Sequence, residues 1–213
     1  MATEEYHALR RRQVAEAVER LIAQHGLDGV TVAKTAAEAG VSVGLVQHYF
    51  ATKDDMLRYA YTRVTERTMA RVLRRADELT AHRSSIRRVV AEGLTERLPL
   101  DDARRAEWRV SFTFAARAVD RPDLAAVRNE TEAAIRDRLA EAIGNGKECG
   151  EVPPDADPPA RAAGLLALVD GLALLAYLDP ATGPVAVAEL DRHLATVFPG
   201  RCRQYDRPNA DTP

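Results

Sequence analysis

The sequence predicts an all-α protein, and three observations predict it. Apolar residues recur at spacings of three and four along most of the chain, the signature of one-sided helices. Ala, Leu, Arg and Glu, which long helices favour, are abundant. Aromatics make up only 5% of residues, β-branched clusters are few, and no strand alternation appears. About nine helices are expected in the 213 residues, three in an N-terminal unit and the rest in a larger helical domain.

Helix one is read from Ala8, with Leu9, Val14, Ala17, Val18, Leu21 and Ile22 on one stripe and Gly26 as its stop. Thr31 stands where helix two needs an N-cap, and Gly40 supplies the left-handed backbone that ends it. Ser42 caps a short helix three that runs to about Phe50. A long fourth helix follows, carrying Leu57, Ala60, Tyr61, Val64, Thr68 and Val72. The sets Ile86 to Leu94, Trp108 to Val119 and Leu124 to Ile143 each fit one helical face, with breaks at Pro99, at Asp120 to Pro122 and at Gly144 to Gly150. GEVPPDADPP is read as a loop. The segment after it, PARAAGLLALVDGLALLAYL, is apolar nearly all round, and a last helix follows the break at Pro180 to Pro184. The expected division is therefore 1–53, 54–200 and an unstructured tail at 201–213.

Composition excludes several classes of function. The formal net charge is −2, and in the first 53 residues Arg10, Arg11, Arg12, Arg20, Lys34 and Lys53 are matched by Glu4, Glu5, Glu16, Glu19, Asp28 and Glu38. A sequence-indifferent architectural DNA binder would be basic overall, so any nucleic-acid contact must come from placement. Cys149 and Cys202 show neither CxxC nor Cys/His ligand spacing, so no disulfide framework and no metal site is expected. The runs Ala162 to Val169 and Gly171 to Leu178 are interrupted by Asp170, and the N-terminus lacks a signal-peptide apolar core, so a cytoplasmic protein without a membrane span is expected. The five histidines are scattered, with no HExxH, no G-x-S-x-G and no phosphate-cradling glycine loop. No catalytic residue and no cofactor is assigned, and an enzyme is the disfavoured reading.

The stretch TVAKTAAEAGVSVGLVQHYFATK, residues 31 to 53, carries the chemistry. Two short helices around Gly40-Val41-Ser42 match a helix-turn-helix, in which the second helix protrudes. Its outward face would present Val43, Gly44, Gln47 and His48 to a major groove. Gln47 can pair with an adenine edge, Val43 can meet a thymine methyl, and His48 can donate to a base or phosphate. Ser42 with its helix N-terminus, Tyr49 and Lys53 suit phosphates, whereas Phe50 is read as packing.

On A-G-V-S, the pair Tyr49-Phe50, and Lys53 followed by Leu57, this region resembles the tetracycline-repressor (TetR) family of bacterial regulators over about fifty residues. One departure is Thr35, where the family more often has Ile. A second is the neutral charge of the unit, which leaves Arg10, Arg11, Arg12, Lys34 and Lys53 to supply most of the phosphate attraction. The resemblance implies that Thr31 touches phosphate at the start of helix two. It also implies that Val43, Gly44 and Gln47 face bases, that His48, Tyr49 and Lys53 hold the backbone or groove edge, and that Arg10, Arg11 and Arg12 form an arm or helix start against the adjacent backbone.

The C-terminal part resembles the betaine-pathway repressor branch through EWRVSFTFAARA followed by P-D-L and through LLALVDGLALLAYL after its loop. That likeness implies a regulatory domain whose last two helices pair with their copies in a second subunit, through Gly164, Leu165, Leu168, Gly171, Leu172, Leu175, Leu190 and Leu194. Independently, the two-sided apolarity of the GLLALVDGLALL segment exceeds what one internal contact would bury. An effector pocket between helices would draw on Met69, Glu92, Trp108, Phe112 and Tyr177. A quaternary ammonium would want an aromatic cage, which one Trp and few other aromatics argue against, so a small apolar effector is expected. The expected function is a ligand-responsive repressor that binds double-stranded operator DNA as a homodimer, or as a dimer of dimers. The alternative is a regulator without ligand response that acts through a protein partner.

Overall fold

The computed structural model describes residues 2–203, with side chains from residue 4 onward. Its helices are α1 (Ala2–His25), α2 (Val32–Ala39), α3 (Val43–Tyr49), α4 (Lys53–Ala81), α5 (Ile86–Thr95), α6 (Asp102–Ala118), α7 (Pro122–Cys149), α8 (Pro158–Leu178) and α9 (Gly183–Val197). Single 3-10 turns at Leu27–Gly29 and Pro180–Thr182 precede α2 and α9, and no strand occurs among the described residues. The protein is all-α, as its periodicity predicts.

Two compact units form from interleaved segments, Met1–Thr68 with Asp101–Arg128 and Met69–Leu100 with Asn129–Pro213. In the first, Val14, Val18, Ile22, Val46, Leu57, Val64, Val110 and Phe114 share one buried cluster. Tyr61 stacks on Phe114 with centroids 4.0 Å apart. Segment 101–128 thus belongs with the helix-turn-helix, although the sequence groups it with everything after residue 53. Arginines fasten it there. Arg109 Nη1 donates to the Ala23 carbonyl at 2.5 Å, and Arg67 bridges Glu19 (2.6 Å) and Glu107 (3.3 Å). Hydrogen bonding to Glu19 holds the Arg67 guanidinium above its usual pKa. The nearly buried Asp54 accepts from Arg117 (3.1 Å) and from Arg121.

In the second unit α8 packs on α9, and α9 on α5. Leu165, Val169, Leu190, Leu194 and Phe198 are fully buried. Arg97 joins Glu132 (3.2 Å) and Asp170 (3.0 Å), so the charge that interrupts the apolar run is paired. Glu151 is buried and caps α5, accepting from the Ile86 and Arg87 amides at 2.8 Å each.

Four local expectations change. α1 begins near residue 2, so Arg10, Arg11 and Arg12 lie inside a helix and form no arm. α7 continues through Gly144 and Gly146 to Cys149, because Gly146 is there for contact: a Cβ would stand 2.7 Å from Val152 Cγ2 and 3.1 Å from Phe198 Cε1. Tail residues 201–203 are docked, with Cys202 buried and the Arg203 amide on the Cys149 carbonyl (2.8 Å), while 204–213 lie outside the described residues. Finally, α8 is one continuous 21-residue helix, long and apolar enough to cross a bilayer despite Asp170. Here that apolarity serves packing against α9 together with one exposed face.

Candidate nucleic-acid interface

Local rules position the reading head. The Thr31 hydroxyl caps α2 by accepting from the Lys34 amide (3.2 Å), and the Ser42 hydroxyl caps α3 by accepting from the Leu45 amide (3.2 Å). Between them Gly40 takes φ 65° and ψ 35°, which reverses the chain at no steric cost. Val46 on the inner side of α3 is fully buried and Phe50 nearly so. Val43, Gly44, Gln47 and His48 consequently face outward, and all four are exposed. This is the face that the sequence predicts.

The flanking groups fall around it. Thr31 and Lys34 are exposed on α2. Lys53 is half-buried at the first residue of α4, set there by a capping box in which the Thr52 amide donates to Asp55 and the Asp55 amide to Thr52, each at 3.0 Å. Tyr49 is half-buried and hydrogen-bonded to His7 Nδ1 at 2.5 Å. Arg12 is exposed, Arg11 lies over the rings of Phe50 (5.9 Å) and Tyr59 (5.6 Å), and Arg10 binds Gln13 (2.8 Å) while its Nε is buried with no partner among the described residues. Arg11 and Arg12 are both exposed, whereas Arg10 is half-buried.

Two positioning residues escape the sequence reading. Gln13 Nε2 donates to the Ala39 carbonyl at 2.6 Å, tying α1 to the C-terminus of α2. Its signal is a polar residue four positions from both Leu9 and Ala17 on an otherwise apolar stripe. His7 gave none, since its partner Tyr49 is remote in sequence. Arg20 also binds Glu38 (2.5 Å), which neutralises the acidic group of α2 beside the reading head.

The other assigned residues divide. Trp108 and Phe112 stack at 4.8 Å on α6 in the first unit, and Phe112 is exposed. Met69, Glu92 and Tyr177 belong to the second unit, where Glu92 pairs with Arg75 at 3.5 Å. A shallow depression lined by Leu21, His25, Lys34, Ala37 and Glu38 lies elsewhere, between α1 and α2. Of the assigned dimer residues, Gly164, Leu168, Gly171 and Leu175 stand at least partly exposed on α8. Leu165, Leu172, Leu190 and Leu194 do not: they are buried within the chain, because α8 and α9 spend them on each other. Leu178 at the end of α8 and Val185 and Val187 on α9 are exposed apolar residues as well.

Comparison with known proteins agrees with this geometry. Residues 14–60 match the family model for bacterial regulatory proteins of the tetR family, and residues 86–199 match that for the C-terminal region of BetI-type transcriptional repressors. The chain is 33% identical over 174 residues to the HTH-type transcriptional regulator PksA of Bacillus subtilis, covering 82% of each. It is 32% identical over 183 residues to the HTH-type transcriptional regulator BetI of Burkholderia thailandensis, covering 83% of this chain and 85% of that one. Among solved structures, a transcriptional regulator from Rhodococcus sp. Rha1 superposes with a TM-score of 0.76 at 34% identity, covering 88% of this chain and 95% of its own. A regulator from Saccharomonospora viridis, solved in complex with choline, gives 0.76 at 25% identity, covering 89% and 95%. These relatives are named as transcriptional regulators. The chain belongs to the TetR family of bacterial transcriptional regulators, with a C-terminal region of the BetI type.

Proposed function

We propose that the protein is a cytoplasmic, ligand-responsive repressor that binds a pseudo-palindromic operator as a homodimer. The observation that carries this reading is the outward face of α3, where Val43, Gly44, Gln47 and His48 are exposed together over a buried Val46. Gln47 reads an adenine edge and Val43 a thymine methyl, while Thr31, Lys34, Ser42, Tyr49, Lys53 and Arg12 hold the backbone. Residues 1–53 form the reading head and 54–200 serve effector response and dimerisation. Two heads about 34 Å apart would address successive major grooves. The exposed strip of α8 from Gly164 to Leu178 supplies the contact between copies.

The effector is a small, mainly apolar molecule that meets the Trp108–Phe112 pair. The choline held by the Saccharomonospora regulator makes a quaternary ammonium the natural comparison, but Trp108 and Phe112 stack nearly parallel (13°) and do not open as a cage. α6 also carries Arg109, which donates to the Ala23 carbonyl of α1, and Glu107, which shares Arg67 with Glu19 of α1, so a shift of α6 is felt by the reading head. A coupling of about 1 to 3 kcal/mol would lower operator affinity some 5- to 150-fold.

The test is fluorescence anisotropy with the intergenic DNA beside the gene and a scrambled control of equal length. Preference for the first by about 10³-fold or more supports a specific regulator. Equal weak binding to both, followed by failure to enrich any sequence from random DNA, would sink it. Choline and uncharged apolar compounds are then compared for release of bound operator.

A further inference from the structure

Cys149 ends α7, Glu151 lies just beyond it, and Cys202 belongs to the segment after α9. Their ligand atoms, two Sγ and a carboxylate oxygen, all lie within 4.8 Å of one another, and all three residues are buried. We propose that Cys149, Glu151 and Cys202 bind a thiophilic divalent cation of the zinc type, which fastens the 199–203 segment to the end of α7 and the start of α5.

The donor chemistry selects the metal class. Two thiolates exclude the oxygen-seeking magnesium and calcium and suit zinc, which takes sulfur and carboxylate together. The spacing fits as well. Zn–S of about 2.3 Å and Zn–O of about 2.1 Å in a tetrahedron put sulfur and oxygen about 3.6 Å apart, and Cys149 Sγ stands 3.5 Å from Glu151 Oε1. A second oxygen of Glu151 or a water completes four-coordination.

The surroundings are prepared for such an ion. Both Glu151 oxygens are oriented by backbone donors, Ile86 N and Arg87 N, in the way that outer groups orient metal ligands. Each oxygen keeps a further lone pair for a metal. Two thiolates and a carboxylate around a divalent cation leave one negative charge, which faces the positive N-terminal end of α5. The Arg203 side chain lies over Gly150 next to the same group.

The segment that brings Cys202 is already shaped to close on the site. The Gly200 amide donates to the Glu151 carbonyl (3.0 Å) and the Arg203 amide to the Cys149 carbonyl (2.8 Å). Gly200 passes so near the Gly150 carbonyl that no side chain fits. Peeling this segment away separates Cys202 from the other two ligands, so metal binding and docking of the segment are one event.

The full-length chain, kept reduced and stripped with a chelator, is titrated with Co(II) and then Zn(II). One equivalent of Co(II) should give thiolate-to-metal charge-transfer absorption in the near-ultraviolet, displaced by Zn(II), and Zn(II) should raise Tm. Cys202→Ser keeps the backbone bonds of the segment and should weaken binding by more than roughly tenfold, with loss of charge-transfer intensity. Glu151→Gln should weaken binding too, but it also alters the α5 cap, so the decisive variant is Cys202→Ser. No charge-transfer band in the reduced chain, an unchanged band and affinity in Cys202→Ser, or two thiols that only form a disulfide and take no metal would each overturn the assignment.

Discussion

The Tyr49 hydroxyl and His7 Nδ1 stand 2.5 Å apart, joining the last residue of α3 to the first turns of α1. Their rings also meet edge to face at 5.6 Å, with His48 a further 5.0 Å from Tyr49. The start of α1 is thus held against the helix that presents the reading face. Tyr49→Phe removes the bond and keeps the ring, so operator affinity should fall by about 0.5 to 1.5 kcal/mol, equally on specific and random DNA. His7→Ala removes the same bond but leaves the Tyr49 hydroxyl for phosphate, so its loss should be no larger, and the double variant should lose no more than Tyr49→Phe alone. Amide exchange at the start of α1 should rise in parallel; additive losses in the double variant would show that the two act separately.

Gln47 and Lys53 are assigned opposite tasks, and the structure puts them on different helices. Gln47→Ala should cost about 1 to 3 kcal/mol on the operator and relax preference at one base position. Lys53→Ala should weaken every sequence alike and flatten the salt dependence by about one counterion. Binding measured on operator and scrambled DNA at several salt concentrations separates the two. Equal losses on both DNAs from both variants would contradict the roles.

The reading head was legible because it is built from local rules. Caps at Thr31 and Ser42, a left-handed Gly40 and an apolar Val46 fix which side of α3 faces out, and each acts within a few residues. What stayed hidden depends on residues distant in the chain. Nothing near Arg109 tells that it will hold the Ala23 carbonyl, or near Cys149 that Cys202 will return to it. Gly146 reads as a helix breaker because propensity carries no knowledge of Phe198, whose ring needs the space a side chain would fill. α8 failed in another way. Apolarity on both sides announces two partners but does not say which leucines meet α9 and which remain exposed.

Thr35 is fully buried, and its hydroxyl has no hydrogen-bond partner among the described residues. A buried unsatisfied hydroxyl costs about 1 to 3 kcal/mol, whereas a methyl of the same shape costs nothing in desolvation. Thr35→Val should therefore stabilise the chain, and a gain of about 1 kcal/mol corresponds to about 2 to 4 °C in Tm at this size. Operator affinity should be unchanged, since the residue faces inward. A lower Tm would mean that the hydroxyl has a partner after all.

Asp101 caps α6, accepting from the Arg104 amide at 2.8 Å and from its guanidinium at 2.7 Å. The bond from the Arg104 amide is the main cause that holds the Asp101 carboxyl below its ordinary value of 3.8. A depressed folded-state pKa stabilises above the unfolded value, and that contribution fades as pH falls through the folded one. Asp101→Ala should cost roughly 1 kcal/mol at neutral pH, in line with other lost caps. The Tm difference between wild type and variant should hold down to the ordinary carboxylate pKa and narrow below it; a gap that widens on acidification would reverse the sign of the argument.

Leu175 and Leu165 lie on the same helix and should answer different questions. Leu175 is 58% exposed and Leu165 is fully buried within the chain. If the exposed strip of α8 meets a second copy, Leu175→Glu places a charge in that contact and leaves the chain's own core untouched. It should yield a monomer with native helicity and greatly weakened operator binding, read by light scattering and anisotropy. Leu165→Ala instead opens a cavity and should lower stability by about 2 to 5 kcal/mol while the surviving folded chain still dimerises. A Leu175→Glu protein that remains a dimer would move the contact off this strip of α8.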